Sequence, residues 1–350
     1  MLDELPPFDY LDAATLAEAV AALTEHGPRA QVLAGGTDLL GLMKDRISGP
    51  GMPVPEVLVN VKRIPELHGI AEAADGGLRI VAAVTLADLE RDARVTARFP
   101  ALAQAAAAVA TTQIRAMGTV GGNLCQRPWC WYFRHPQFPC LKRGGKQCFA
   151  LPGSNRTYFG VLGLGVCVMS HPSDLAPALI ALDARVAIAG PAGPRAVPIE
   201  QFFRGPRSRT ETVLEPGEIL VAVDVPAPAP GARSFFLKHR LRGTWDFALS
   251  EVAVSATPRS AAAGGSGAAG SGAGRWENVR VALGGVAPFP FRATAAEAIL
   301  AGHAPSESLL REAAQAAVSK ARPLTQNGYK IDLTRALVAR ALSALAADLG

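Results

Sequence analysis

The sequence predicts a mixed α+β protein that is built from two domains. Its 350 residues fit two hydrophobic cores better than one, and 49% of the residues are apolar, so a sizeable core is expected. Segments with the apolar period of an amphipathic helix alternate with short apolar runs that are typical of strands. The proline-rich stretch PAPAPGA, residues 226–232, is a stiff connector and marks the best boundary between the domains.

The first predicted elements are a helix and two strands. Thr15 and Glu18 have the spacing of a capping box, the apolar residues after them recur at helical spacing, and Gly27 ends the helix. Strand-like sequences cover residues 30–34 and 56–62. A glycine-rich turn and a short apolar stretch separate these two strands.

The middle of the chain has regular segments on either side of a long irregular one. Residues 111–160 show little periodicity and contain many Gly and Pro residues, and such a long structureless stretch in a compact protein is usually functional. We expect the regular elements around it to be a strand at 78–84, helices at 85–89 and 101–110, a strand at 160–170, a helix at 173–184, and strands at 185–190 and 218–226.

The C-terminal part predicts a pair of strands followed by helices. The two strands cover residues 247–256 and 278–287, and the glycine- and serine-rich residues 260–274 between them predict a flexible hairpin loop. Helical patterns follow at residues 293–300, 307–319 and 333–347.

The composition restricts the class of protein without choosing a ligand. A net charge of +5 permits an anionic partner, which nucleic acid, a membrane surface or a phosphate-bearing cofactor would each satisfy. No apolar run approaches the roughly 20 residues of a membrane span, so we expect none. The N-terminal sequence MLDELPPFDY lacks the basic start and apolar core of a secretory signal, which predicts a cytoplasmic location.

Two glycine-rich turns indicate a site for an anionic ligand. The sequence AGGTD, residues 34–38, lets the backbone approach a ligand closely, and free amide groups in such a turn suit a pyrophosphate. A second turn, GTVGGN at residues 118–123, would allow one long ligand to be held at both ends. An ordinary tight turn is the alternative for either sequence alone. The G-x-G-x-x-G fingerprint and the G-x-x-x-x-G-K-[ST] loop are absent, which argues against a Rossmann nicotinamide site and a P-loop.

Crowded cysteines are the most specific feature of the chain. Four of the five lie within 24 residues and the last follows 19 residues later: Cys125, Cys130, Cys140, Cys148 and Cys167. In a chain without a signal sequence, this crowding favours metal or redox chemistry over structural disulfides. Zinc bound by four cysteines, or by three and His135, is one alternative. The intervals of four, nine, seven and eighteen residues match neither the paired spacing of zinc sites nor the ferredoxin signature.

The residues around the cysteines favour an iron–sulfur cluster. Residues 125–149 contain five basic side chains, no acidic one and six aromatic rings. Thiolates around a 4Fe-4S core carry a net negative charge, and burying that charge requires nearby cations and backbone donors. A platform for single-stranded nucleic acid is less favoured because base stacking requires no cysteines, and we expect no nucleic-acid partner.

Five longer motifs reveal a family resemblance. They are VLAGGTDLLGLMK, IRAMGTVGGNL, HPSDLAPALIALDA, FFLKHRLRGTWDFAL and VRVALGGVAPFPFRA. With these motifs the chain resembles the FAD-binding subunits of the molybdenum hydroxylase family, which includes xanthine dehydrogenase, carbon monoxide dehydrogenase and aldehyde oxidoreductases. The cysteine-rich sequence is similar to the branch whose flavin subunit also holds a 4Fe-4S cluster, as in periplasmic bacterial aldehyde oxidoreductases.

The resemblance implies a specific fold. It is a flavoprotein fold of the vanillyl-alcohol-oxidase type over residues 1–228, with subdomains at about 1–62 and 63–228 and a cysteine-rich insertion at about 125–167. A C-terminal α/β domain of the CO-dehydrogenase flavoprotein type would follow at residues 229–350.

The resemblance also implies roles for individual residues. Ala34, Gly35, Gly36, Thr37, Asp38 and Leu39 would bind the pyrophosphate of FAD, and Gly118, Thr119, Gly122 and Asn123 would lie along the ribityl chain and flavin. Ser173 and Asp174 would lie near the adenosine side and Lys238 near the isoalloxazine. Since a cysteine at position 125 also occurs in relatives without a cluster, the implied cluster ligands are Cys130, Cys140, Cys148 and Cys167.

The implied function is electron transfer within a larger complex. A molybdopterin-binding large subunit would oxidise the substrate, a 2Fe-2S small subunit would deliver electrons to the flavin, and an external acceptor would remove them. The alternatives are a flavoprotein subunit with a structural zinc site, or a subunit of the 4-hydroxybenzoyl-CoA reductase type. Export with a signal-bearing partner would make the location periplasmic instead of cytoplasmic.

Overall fold

The structure, a computed structural model, describes residues 4–259 and 274–349. Its helices are α1 (Leu16–His26), α2 (Leu39–Lys44), α3 (Leu86–Arg91), α4 (Ala93–Arg98), α5 (Pro100–Ala108), α6 (Thr112–Met117), α7 (Val120–Cys125), α8 (Leu175–Ala181), α9 (Ile199–Phe202), α10 (Thr294–Leu300), α11 (Glu307–Ala317) and α12 (Tyr329–Leu349). Its strands are β1 (Asp9–Asp12), β2 (Ala30–Leu33), β3 (Val57–Asn60), β4 (Ile70–Glu72), β5 (Leu78–Val81), β6 (Arg185–Ala189), β7 (Arg195–Pro198), β8 (Ile219–Val225), β9 (Arg233–His239), β10 (Ser250–Arg259), β11 (Arg275–Gly284) and β12 (Phe291–Arg292).

The N-terminal part is a small parallel sheet covered by one helix. Its strand order is β1-β3-β2, and α1 packs against β2 and β3. Helix α1 forms because the Thr15 hydroxyl accepts a hydrogen bond from the Glu18 amide at 3.2 Å, and because Ala19, Ala22 and Leu23 bury one face. Each fully buried Leu or Val in such a core contributes about 1.5–3 kcal/mol.

The central part is a five-stranded antiparallel sheet with helices on it. The strand order is β4-β5-β8-β6-β7, and a large core joins this sheet to α3, α5 and α8. Helix α5 begins at Pro100 and is rich in alanine, so its narrow side chains let it pack closely against α3 and β9.

The C-terminal part is a four-stranded antiparallel sheet with three helices. The strand order is β12-β11-β10-β9, and α10, α11 and α12 share its apolar core. The opposite face of the sheet lies against α5 and α8. Helices α5 and α8 are therefore sandwiched between the second and third sheets, and this contact positions β9 and β10 beside the central part.

Most of the expected elements are confirmed, and the α+β class is confirmed with them. Two expectations are wrong. The segment expected to be irregular from residue 111 begins with helices α6 and α7, which threonine side chains cap. Residues 160–170 form no strand beyond one bridge between Phe159 and Met169, because the amides of Val161 and Leu162 turn away to donate to the Val286 carbonyl.

Other features are either outside the described residues or untested. Strands β10 and β11 pair as expected, whereas the expected hairpin loop at 260–274 lies almost wholly outside the described residues. Within the described ranges, no helix is long and apolar enough to cross a membrane. The expected domain boundaries stay predictions.

Candidate functional site

A cleft of about 690 Å³ lies between the N-terminal and central parts. Both glycine-rich turns line it, and its walls are completed by Asp174 just before α8, Lys238 on β9 and residues of the cysteine-rich segment. Twelve of the thirteen residues expected to bind a cofactor line this cleft: Ala34, Gly35, Gly36, Thr37, Asp38, Leu39, Gly118, Thr119, Gly122, Asn123, Asp174 and Lys238. A cleft of this volume is of the size that holds cofactors.

The first turn fills the space between β2 and α2. A Cβ atom on Gly35 would lie only 2.2 Å from the Met117 carbonyl oxygen, so glycine is required for the two turns to meet. The φ angle of Gly36 is 72°, in the left-handed region that favours glycine. The turn therefore presents backbone, with no bulky side chain, to the cleft.

The second turn is held by side-chain caps. The Thr119 hydroxyl accepts a hydrogen bond from the Gly122 amide at 3.1 Å, which begins α7. The side-chain oxygen Oδ1 of Asn123 accepts from the Ser173 hydroxyl at 2.6 Å, and both side chains are buried. Ser173, the remaining expected residue, thus acts on the cleft wall through Asn123 and does not line the cleft.

A buried ion pair forms part of the cleft wall. The Lys238 ammonium donates to the Asp174 carboxylate at 2.6 Å and to the Ala108 carbonyl at 3.1 Å, and only 4% of each paired side chain is exposed. These contacts fix the ammonium group on β9 against the cleft. The ammonium group, whose charge Asp174 balances, has a third hydrogen with which it can donate to an electron-rich ring or an anionic group.

The cleft mouth is aromatic. The rings of Trp129 and Phe247 lie 5.0 Å apart between centroids, and both line the cleft together with Trp245, which is 55% exposed. The Arg134 guanidinium lies 4.3 Å from the centre of the Trp129 ring, a cation–π contact that fixes the indole. Flat apolar walls of this kind suit a planar ring system.

Asp38 joins the first turn to the cysteine-rich segment. One carboxylate oxygen accepts from the Arg127 amide at 2.8 Å, and the other accepts from the Arg134 guanidinium. The side chain of Asp38 thus faces the cysteine-rich segment, while its backbone belongs to the turn. A substitution that moves one of these two regions should therefore also move the other.

Four cysteines of the cysteine-rich segment, residues 125–167, pack together. Cys130, Cys140 and Cys167 are buried in one cluster with Phe133 and Phe159, and Cys148 packs at its edge. Cys125 instead packs against the central core and lines the cleft, so the structure separates it from the other four. The five cysteines are free thiols.

The surroundings of these thiols are charged and rich in donors. Backbone amides at Phe133, Lys142 and Met169 donate to the sulfur atoms of Cys130, Cys140 and Cys167, respectively. Burial raises the pKa of Cys130 and of Cys167 to about 12, and the Lys142 ammonium opposes that rise at Cys167. Burial therefore favours the protonated form of these two thiols.

Two cations are buried beside the thiols. The Lys142 ammonium donates to the Glu211 carboxylate at 2.6 Å, and Arg143 donates to the carbonyl groups of Ser48, His135 and Phe138. Arg143 thereby closes the cysteine-rich segment on itself. No group of three or more His, Cys, Asp or Glu side chains in residues 4–259 and 274–349 is arranged to hold a metal ion.

Sequence reasoning missed two buried acids near the site. Glu211 lines the cleft and bridges Lys142 and Arg127, at 2.6 and 3.0 Å. Glu251 lies on β10 and is 1% exposed. Glu251 is the only carboxylate in its apolar strand sequence, and this pattern could have indicated a buried acid. Glu211 lies in an irregular polar segment, where no sequence pattern indicates burial.

Comparison with known families agrees with this geometry. A family model described as the FAD binding domain in molybdopterin dehydrogenase matches residues 6–228, and one described as the CO dehydrogenase flavoprotein C-terminal domain matches residues 236–345. The aldehyde oxidoreductase FAD-binding subunit PaoB of Escherichia coli is 36% identical over 345 residues, which cover 96% of this chain and 97% of that protein. The carbon monoxide dehydrogenase medium chain of Hydrogenophaga pseudoflava is 32% identical over 345 residues, with 97% of each chain covered.

Solved structures agree over the whole length. A chain of the Hydrogenophaga pseudoflava carbon monoxide dehydrogenase superposes with a TM-score of 0.75 at 32% identity, covering 99% of this chain and 100% of that one. A chain of quinoline 2-oxidoreductase from Pseudomonas putida 86 superposes with a TM-score of 0.73 at 26% identity, covering 98% of each chain. The chain is thus an oxidoreductase subunit and belongs to the FAD-binding medium subunits of the molybdenum hydroxylase family.

Proposed function

We propose that this chain is the electron-transfer flavin subunit of a molybdenum-dependent aldehyde oxidoreductase or xanthine dehydrogenase-type complex. It takes electrons from a 2Fe-2S subunit and passes them to an external acceptor. The cleft that joins both glycine-rich turns to the buried Asp174–Lys238 pair is the observation that carries the proposal. The similarity to an aldehyde oxidoreductase FAD-binding subunit favours an aldehyde as the substrate of the complex.

The residues of the cleft fit FAD. The backbone of Gly35 to Asp38 can approach a pyrophosphate because no bulky side chain covers the turn. Thr119 and Asn123 hold the second turn, which would lie along the ribityl chain, and Lys238 would face the isoalloxazine. Bound FAD supplies the chemistry of accepting electrons singly and releasing them in pairs, whereas the chain supplies position and charge.

The protein groups have simple tasks in this function. Lys238 places a positive charge where electron density increases, and Asp174 holds that ammonium in place. The aromatic mouth formed by Trp129, Trp245 and Phe247 excludes water from the ring system. Ser173 keeps Asn123 oriented through a 2.6 Å hydrogen bond.

We also propose that Cys130, Cys140, Cys148 and Cys167 bind a 4Fe-4S cluster. Their burial in one place, the backbone amides that donate to three of the sulfur atoms, and the cations beside them all suit a cluster of net negative charge. A structural zinc site on the same cysteines is the alternative, and metal analysis of the purified chain distinguishes the two.

The proposed partners follow from the same function. A molybdopterin-binding large subunit and a 2Fe-2S small subunit would form a heterotrimer with this chain. Whether the additional cluster relays electrons or stabilises its segment is testable in that assembly. A cluster that is reduced when substrate is added relays electrons, and one that stays oxidised is structural.

The cluster is tested by a pair of cysteine variants. Anaerobic reconstitution of the purified chain with FAD, iron and sulfide should give about four iron atoms and four acid-labile sulfides per chain, together with FAD. Cys167→Ser should lose the cluster and retain FAD. Cys125→Ser is the matched control and should retain both, because Cys125 lies apart from the other four thiols.

Three outcomes would contradict the proposal. One tightly bound zinc and no iron would favour a structural zinc site. Loss of iron in Cys125→Ser but not in Cys167→Ser would mean that the ligand set is wrong. A chain that stays colourless after reconstitution would refute the flavin and the cluster together.

A further inference from the structure

A buried acid lies in a row with the cleft lysine. Glu251 on β10 is the direct cross-strand neighbour of Lys238 on β9 and of Gly284 on β11. Neighbouring strands lie about 4.8 Å apart, so these three residues form one continuous row across the sheet. Lys238 at the end of the row lines the cleft, while Glu251 lies behind the cleft wall.

The glycine on β11 leaves space for the Glu251 carboxyl group. A Cβ atom on Gly284 would lie 1.9 Å from a Glu251 carboxyl oxygen, so only glycine leaves room for the acid. The next residue, Gly285, turns its carbonyl oxygen to the Lys330 ammonium at 2.6 Å. Lys330 also donates to the Thr157 and Phe159 carbonyls, so all three of its hydrogens have acceptors.

Two carboxyl groups meet at this place. Oδ2 of Asp174 accepts from Lys238, but Oδ1 is buried without a hydrogen-bond partner. Oε2 of Glu251 is likewise buried without a partner, and the two carboxyl groups are close enough to hydrogen-bond each other. Two buried carboxylates in contact repel each other, and a shared proton satisfies both oxygens.

The charged groups around Glu251 come from three elements. Asp174 at the start of α8 disfavours its ionisation, whereas Lys238 on β9 and Lys330 on α12 favour it. Strand β11 contributes only glycine at this position. Burial is the largest effect and, with Asp174, raises the pKa of Glu251 well above its ordinary range. Burial also lowers the pKa of Lys330 to about 7.

We propose that Glu251 is a positioning residue that shares one proton with Asp174 behind the cofactor cleft. This proton store couples the charge of the cleft to proton uptake by the protein. The inference rests on the proposed flavin function, because electrons entering the cleft provide the change in charge.

The coupling is a proton equilibrium and forms no covalent bond to the cofactor. In the proposed function the electrons would come from the iron–sulfur partner and would be held by the bound FAD. Where Glu251 has lost its proton, added negative charge in the cleft favours the return of a proton from water. The Glu251 carboxylate and one proton then give a carboxylic acid that donates to the Asp174 carboxylate. Removal of the electrons by the acceptor returns that proton to water.

The pH dependence of the flavin midpoint potential tests this coupling. It is measured by spectroelectrochemical titration of the FAD-loaded full chain across the neutral and alkaline range. Where the pair titrates, the wild-type slope should be steeper than that of Glu251→Gln by up to one proton per two electrons, or about 30 mV per pH unit. Glu277→Gln on β11 is the matched control, since Glu277 is 42% exposed and pairs with Arg259, and its slope should equal that of wild type.

Infrared spectroscopy tests the shared proton without reference to the cofactor. The wild-type chain above neutral pH should show a carboxylic-acid carbonyl band that shifts in heavy water, and Glu251→Gln should lack it. Equal potential slopes in wild type and Glu251→Gln, with FAD bound to both, would overturn the inference. A missing infrared band would overturn it as well. A chain that shows the band but binds no FAD would refute the proposed function, and with it the coupling.

Discussion

Replacement of Glu211 is expected to destabilise the protein strongly. Its side chain is 2% exposed and bridges the Lys142 ammonium, which is 3% exposed, to the Arg127 guanidinium, which is 25% exposed. In Glu211→Ala both cations lose their carboxylate partner, and Lys142 keeps only the Ser208 carbonyl, at 3.3 Å. Because only 3% of the Lys142 side chain is exposed, bulk water compensates little for the lost partner.

The expected cost follows from this burial. Removing one partner of a buried ion pair costs about 3–5 kcal/mol, since it leaves a buried charge uncompensated. Glu215 provides the matched control in the same segment, because its side chain is 61% exposed and its partner Arg204 is 38% exposed. Glu215→Ala should cost about 0–1 kcal/mol, the range of exposed pairs.

Urea unfolding followed by circular dichroism measures both variants. The free energy of unfolding should fall by about 3–5 kcal/mol in Glu211→Ala, and the midpoint should shift to lower urea with little change in slope. Glu211→Gln retains an oxygen that can accept from Lys142 and should lie between the two alanine variants. If Glu211→Ala costs no more than Glu215→Ala, then the argument from burial is wrong.

Two further predictions concern the cleft and the acid limb of stability. Gly35→Ala should abolish FAD binding, measured by quenching of flavin fluorescence, because the added Cβ would lie 2.2 Å from the Met117 carbonyl oxygen. Gly41→Ala is the control, since its Cβ would contact nothing within 4 Å, and it should bind FAD normally. Equal binding by the two variants would contradict the steric argument. The Arg195 side chain lowers the pKa of Glu218 below its ordinary value of 4.5, so the pair should stabilise the fold above about pH 4.5 and lose that effect as pH falls through the lowered pKa. The melting temperature of Glu218→Gln should therefore fall less steeply with decreasing pH than that of wild type. An equal fall in both proteins would refute the assignment.

Local chemistry explains the elements that could be predicted. The Thr15 cap of α1 and the first glycine-rich turn depend on neighbouring residues, and the structure has both where the sequence predicts them. The caps of α6 and α7, Thr111 and Thr119, were equally local, but the surrounding glycine obscured them. In residues 111–125, element type was therefore mispredicted because opposing local signals overlapped.

Long-range contacts explain the rest. Residues 160–170 look like a strand, yet the amides of Val161 and Leu162 donate to the Val286 carbonyl just after β11, which no local pattern indicates. Lys142 and Glu211 are 69 residues apart in the sequence. Asp174, at the N-terminus of α8, interacts with Glu251 on β10 of the C-terminal sheet. Such pairs are set by tertiary packing, so no local pattern in the sequence indicates which buried charges meet.

The most direct test of the proposed electron-transfer function is anaerobic reduction of the assembled complex by an aldehyde. The account predicts that the complex contains one FAD in this chain and that its visible flavin absorption bleaches after the 2Fe-2S centres of the small subunit are reduced. Oxygen or another acceptor should then restore the absorption. A complex whose 2Fe-2S centres are reduced while the flavin stays oxidised, or which contains no FAD, would contradict the account.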